Sequence, residues 1–103
     1  MDRLLNLLGL CARAGRMVTG EKACIEKIRA GGACVALLDG AAANNAVKSM
    51  TDACQHKNVP LIRTPAYALG DAVGKPGRMA CVVTDPGFAR SMLKLYQPTE
   101  NAE

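Results

Sequence analysis

The chain of 103 residues has no tryptophan, one phenylalanine and two tyrosines. Proteins that read single-stranded nucleic acid stack successive bases on aromatic platforms, and Tyr67, Phe88 and Tyr96 are too few and too dispersed to build one. It has a single histidine, His56, and no C-x-x-C pair among its five cysteines, which excludes the common zinc-ligand spacings. An odd number of widely spaced cysteines also argues against a disulfide framework. Cys11, Cys24, Cys34, Cys54 and Cys81 each fall in an apolar run and read as small core residues in a reducing, cytoplasmic setting, with Cys34 and Cys81 inside strands. No apolar run reaches membrane-spanning length. Leu4 to Ala14 is amphipathic rather than uniformly apolar, so it reads as a helix and not as a secretory signal.

What is present is a core built from Leu, Val, Ile, Ala, Met and Cys, in a chain that is half hydrophobic. This length suits one domain, expected over residues 1–96, followed by a polar acidic tail over 97–103. The tail holds Glu100 and Glu103 and no basic residue, so the body is more basic than the net charge of +4 indicates. A mixed solvated surface has the same balance, and charge alone supports a nucleic-acid partner weakly.

Helices and strands alternate along the chain. A first helix carries Leu4, Leu5, Leu8 and Cys11 at helical spacing and stops at Gly15, and Met17-Val18 is long enough for a stub of strand. Gly20 opens a second helix, which Gly31-Gly32 ends. Ala33 to Leu38 is a six-residue apolar run bounded by glycines and by Asp39-Gly40, the pattern of a strand buried on both faces. A third helix is expected over Asn44 to Lys57 and a strand over Val59 to Arg63. Thr64-Pro65 reads as cap and first residue of a helix continuing through Tyr67 to Val73. Met79 to Val83 is the last strand, and Asp85-Pro86 repeats the cap-plus-proline start for a final helix. This is an α/β chain with helices on both faces of a small sheet.

Three constellations could carry chemistry. Gly70 to Lys75 resembles a phosphate loop, but it follows a helix, is one residue short, and has Pro76 in place of the magnesium-binding hydroxyl, so it reads as a helix end and turn. The cysteines lie away from the helix N-termini that lower a thiol pKa, and His56 has no carboxylate at sensible spacing; nothing here reads as catalytic. The third is the junction between the first two helices. Exposed N–H groups at the Gly20 helix start, with Arg13, Arg16 and Lys22 nearby, suit an anion such as a nucleic-acid phosphate. An aspartate at Gly20 should be tolerated by the helix and resisted by such an anion. In an open sheet the loops that open helices gather along one edge, so Thr19 to Lys22, Asp39 to Asn45 and Arg63 to Pro65 are expected to converge.

The order of these parts resembles the small bacterial YlxQ-type proteins, relatives of the kink-turn-binding ribosomal proteins of archaea and eukaryotes. The resemblance runs over about residues 4 to 94 and rests on Gly9-Leu10, Arg13-Ala14-Gly15-Arg16, Gly20-Glu21, Asn58-Val59-Pro60, Leu69-Gly70 with Gly74-Lys75, and Thr84-Asp85 followed by Gly87-Phe88-Ala89. It implies a three-layer α/β/α sandwich around a small mixed four-stranded sheet, no cofactor, no metal and no catalysis. It also implies binding of structured RNA, kink-turn-like or ribosomal, near the ribosome. The RNA-binding residues it suggests are Arg13, Arg16, Gly20, Glu21, Lys22 and Lys27, with Asn45, Arg63, Thr64 and Pro65 on the neighbouring loops.

The RNA-binding relatives typically start the second helix with Gly-Thr-Asn-Glu and follow it with a lysine, side chains that read the sheared G·A pairs of a kink-turn. Here Gly20 is followed by Glu21, Lys22 and Ala23, and Glu26 stands where the lysine is expected, with Lys27 beside it. The G·A-reading pair is absent. Recognition through phosphates and shape is one expectation; the alternative is a protein-interaction module docking ribosomal or translation proteins.

Overall fold

The structure, a computed structural model, describes residues 1–96; the tail expected over 97–103 lies outside them. The elements run α1 (Asp2–Arg13), β1 (Met17–Thr19), α2 (Glu21–Arg29), β2 (Val35–Asp39), α3 (Asn44–Lys57), β3 (Leu61–Thr64), α4 (Ala68–Val73), β4 (Ala80–Val83) and α5 (Pro86–Leu95). The strands form one sheet in the order β1-β4-β2-β3. β4 is antiparallel to both β1 and β2, and β3 is parallel to β2, so β1, β2 and β3 all point the same way. The sheet is mixed, as the resemblance implies.

Strand alternation divides the core in two. Val35 and Leu37 of β2, with Ile62, Cys81 and Val83, face Leu4, Leu8 and Cys11 of α1, Leu69 of α4 and Met92 of α5. Ala36 and Leu38 point the other way, with Ala80 and Val82, onto Cys24 and Ile28 of α2 and Met50 and Cys54 of α3. All five residues of β2 are buried, which is why its sequence shows a continuous apolar run rather than alternation. Two helical layers enclose one sheet.

Local signals account for most boundaries. Asp85 accepts a hydrogen bond from the Phe88 N–H at 2.9 Å with Pro86 at the first helical position, the cap its sequence announces. Asn58 ends α3 in the left-handed conformation, directly after Lys57, where the sequence places the helix end.

Three expectations are corrected. Cys34 precedes β2 and is half-buried: its N–H bonds the Val83 carbonyl at 2.8 Å, at the end of the ladder where the strand pairing starts with Val35. Asp39 belongs to β2 and is buried rather than bounding the strand. Thr64 is not a helix cap: it ends β3, and α4 starts only at Ala68, after Tyr67 at φ 65°.

Candidate nucleic-acid interface

Because β1, β2 and β3 run in parallel, the loops that follow them leave the sheet at the same edge, and β4 enters from that edge. The Thr19–Lys22, Asp39–Asn45 and Arg63–Pro65 segments are therefore brought together as expected. β1 also separates what the sequence appeared to join. Arg16 precedes β1 and Gly20 follows it, so an extended run of about 13 Å lies between them. The Arg16 carbonyl pairs with the Thr84 N–H at the opposite edge. Arg13 lines a groove between α1 and α4 with Leu10, Ala68 and Asp71. Neither arginine shares the depression at the start of α2.

That depression is lined by Thr19, Gly20, Glu21, Lys22, Ala23, Glu26 and Arg78. Gly20 sits at φ 96°, ψ 137°, and a Cβ built there would lie 2.8 Å from the Arg78 guanidinium. Glycine is needed for the backbone conformation, and the exposed Arg78 side chain lies across the space that its missing Cβ leaves. An aspartate at 20 is thus strained, and the expectation that the helix would accept it is corrected. Arg78 lies just before β4 and reaches this position because the Gly20 N–H bonds the Ala80 carbonyl at 3.0 Å, drawing the start of β4 against the start of α2.

Glu26 faces the depression, whereas Lys27 leaves it: the Lys27 stem lies back over Gly32 at the other end of α2, within 2.6 Å of where a Cβ would be. Lys22 and Arg78 are the cations of the depression, opposed by Glu21 and Glu26. Asn45 is exposed in the first turn of α3.

The third loop is organised from beneath by Asp39. Its Oδ1 accepts from the Thr64 hydroxyl at 3.2 Å and the Leu69 N–H at 3.1 Å, and its Oδ2 accepts from the Ala41 N–H at 2.8 Å and the Tyr67 N–H at 2.7 Å. Burial pushes the Asp39 carboxyl up, but these four donors outweigh it and hold the group below the ordinary aspartate value. Gly40 completes the arrangement, since a Cβ there would meet the Thr64 carbonyl at 2.8 Å. Thr64 spends its hydroxyl on this clamp and is 3% exposed, so its side chain offers nothing to a ligand. Arg63 and Pro65 are exposed on either side of it, and one Arg63 N–H donates to the Asp39 carbonyl at 3.4 Å.

Arg78 carries no motif in the sequence, and Asp39 stands there only as the boundary after an apolar run. No local pattern distinguishes them; both act through partners brought close by the sheet.

Burial raises the Cys11 thiol to about 11 and the Cys24 thiol to about 12, and it pushes Cys54 and Cys81 up as well. These thiols stay protonated at neutral pH and are poor nucleophiles. Among the described residues no His, Cys, Asp and Glu side chains cluster to hold a metal ion, and no helix is long and apolar enough to cross a membrane.

Residues 2–93 match the model of the ribosomal protein L7Ae/L30e/S12e/Gadd45 family. The RNA-binding protein YlxQ of Bacillus subtilis is 40% identical over 90 residues, 86% of this chain and 90% of that protein. The Enterococcus faecium protein of the same name is 31% identical over 97 residues, 93% of each chain. A Bacillus halodurans protein of unknown function superposes with a TM-score of 0.87 at 31% identity, covering 92% of this chain and 97% of that one. The Giardia lamblia 15.5kD RNA binding protein shares the fold, with a TM-score of 0.77 at 21% identity over 89% and 82% of the two chains.

Proposed function

The chain belongs to the ribosomal protein L7Ae/L30e/S12e/Gadd45 family, and from that membership we propose that it binds structured RNA in the cytoplasm, without catalysis and in the setting of the ribosome. The observation that carries this reading is the meeting of Arg78, Lys22 and the glycine-opened start of α2 at the edge where the three parallel strands end. Backbone N–H groups and two cations converge there, beside the carboxylates of Glu21 and Glu26, and the N–H groups, Lys22 and Arg78 are the parts suited to phosphate. The names of the two curated relatives, both RNA-binding, support the same partner.

Selectivity for a kink-turn is a separate matter. Lys22 and Ala23 take the places of the Asn-Glu pair, and Glu26 in the depression opposes phosphate there. The protein recognises RNA by shape and phosphate contacts, and it discriminates sheared G·A pairs less than relatives that keep the pair. Titration of a kink-turn RNA against rising salt tests the reading. If Lys22, Arg63 and Arg78, all exposed, each neutralise one phosphate, log K should fall against log salt with a slope of about −2 to −3.

A further inference from the structure

We propose that the opposite edge of the sheet, where β1, β2 and β3 begin, is a second phosphate-binding surface that holds another RNA segment while the first edge holds its own. This rests on the RNA-binding reading and extends it to cations which that reading leaves unused. The Arg16 carbonyl takes the Thr84 N–H at 3.0 Å, and the Cys34 N–H donates to the Val83 carbonyl at 2.8 Å. The connections from α1 to β1 and from α2 to β2 therefore flank the end of β4, two strand spacings apart, about 10 Å. The connection from α3 to β3 lies one spacing further along.

Each connection brings cations with it. Arg13 stands in the last turn of α1 and Arg16 just beyond it, Lys27 and Arg29 in the last turn of α2, and Lys57 ends α3. All but the half-buried Lys27 are exposed, and among the described residues none of them forms an ion pair. Asp85, in the connection from β4 to α5, is spent on the Phe88 N–H. Glu26, earlier on α2, faces the depression at the other edge. Last-turn cations also offset negative helix ends, but three such ends amount to about 1.5 charges, so with Asp85 counted about two positive charges remain over. The depression at the first edge instead sets Lys22 and Arg78 against Glu21 and Glu26. Gly15 and Gly31 are exposed beside Arg16 and Arg29, and a Cβ at either would meet open space, so no side chain shields these cations from a polyanion. The exposed aromatic ring, Tyr67, is in the loop after β3, at the other edge. Contact here is with phosphates, without base readout. The two edges face opposite ways, so a rigid duplex lies along one of them at a time.

The test uses a donor-labelled kink-turn hairpin in a one-to-one complex with the intact protein, titrated with an acceptor-labelled plain RNA duplex. Energy transfer reports both RNAs on one protein. The parent should show it, and it should fade as salt rises. Arg16→Ala with Arg29→Ala and Lys57→Ala should weaken capture of the duplex at least about 10-fold at low salt and flatten its salt slope by about 2 to 3 units, with kink-turn affinity within about 3-fold of the parent. Arg16→Lys with Arg29→Lys and Lys57→Arg keeps the charges and should keep the capture, which separates lost charge from a damaged fold. A kink-turn complex of the parent that ignores the duplex overturns the second surface and leaves the first standing; that result would fit cations facing an acidic protein. Unchanged capture by the alanine variant, or equal loss of both RNAs in it, also overturns the proposal. A parent protein that binds neither RNA overturns both readings.

Discussion

Replacing Asp39 by asparagine keeps the shape of the side chain and removes one charge and one acceptor. The wild-type carboxylate receives four donors, two on each oxygen. The amide nitrogen fits best in place of Oδ1, where the Thr64 hydroxyl can rotate to accept and only the Leu69 N–H is orphaned; in place of Oδ2 it would face two backbone N–H groups at 2.7 and 2.8 Å. An orphaned buried donor costs about 1 to 3 kcal/mol, and two bonds to a charged acceptor that become neutral lose about 1 kcal/mol each. Removing a buried charge returns part of that. The net loss should be about 2 to 4 kcal/mol in urea denaturation at neutral pH. Because the folded Asp39 titrates below the ordinary aspartate value, its contribution is complete above the unfolded value of about 3.9 and disappears as pH falls through the folded one. The gap between the parent and Asp39→Asn should therefore be constant from pH 7 to pH 5 and close in stronger acid. A loss under about 1 kcal/mol, or a gap that widens with acid, would refute the clamp.

Three further outcomes are expected. Gly20→Ala should lower stability by about 1 to 3 kcal/mol, because it places a Cβ at φ 96°; urea melts that match the parent would contradict this. A thiol reagent at neutral pH should modify Cys34 first and reach Cys11, Cys24, Cys54 and Cys81 only on unfolding, since Cys34 is the one half-exposed cysteine; a rapid reaction of all five in the native protein would show that the core is open. Lys22→Asn with Ala23→Glu should strengthen kink-turn binding, as base-edge contacts are worth about 1 to 3 kcal/mol each and the lost lysine supplies charge alone; weaker binding in a gel shift at fixed salt would show that the Asn-Glu positions do not read this RNA.

The layers and the loop edge were legible because they follow from local patterns: a six-residue apolar run for β2, helical spacing in α1, and a cap with proline for α5. What escaped was decided by partners far along the chain. Thr64-Pro65 has the composition of a helix start, yet Thr64 is captured by Asp39, twenty-five residues earlier, and the helix waits until Ala68. Tyr67 in a left-handed conformation runs against its own preference, so no sequence rule places it there. Arg13 and Arg16 are near Gly20 in sequence and far from it in space because an intervening strand, however short, carries the chain across the sheet.

The central claim is that the edge where β1, β2 and β3 end binds structured RNA through phosphates. The most direct measurement is fluorescence anisotropy of a labelled kink-turn and of the same RNA with its G·A pairs replaced, titrated with the parent protein and with Arg78→Ala at several salt concentrations. The account predicts that the parent binds both RNAs with affinities within about 10-fold, that binding falls as salt rises, and that Arg78→Ala flattens the slope by about one unit. Binding that ignores salt, or an Arg78→Ala variant indistinguishable from the parent, would contradict it.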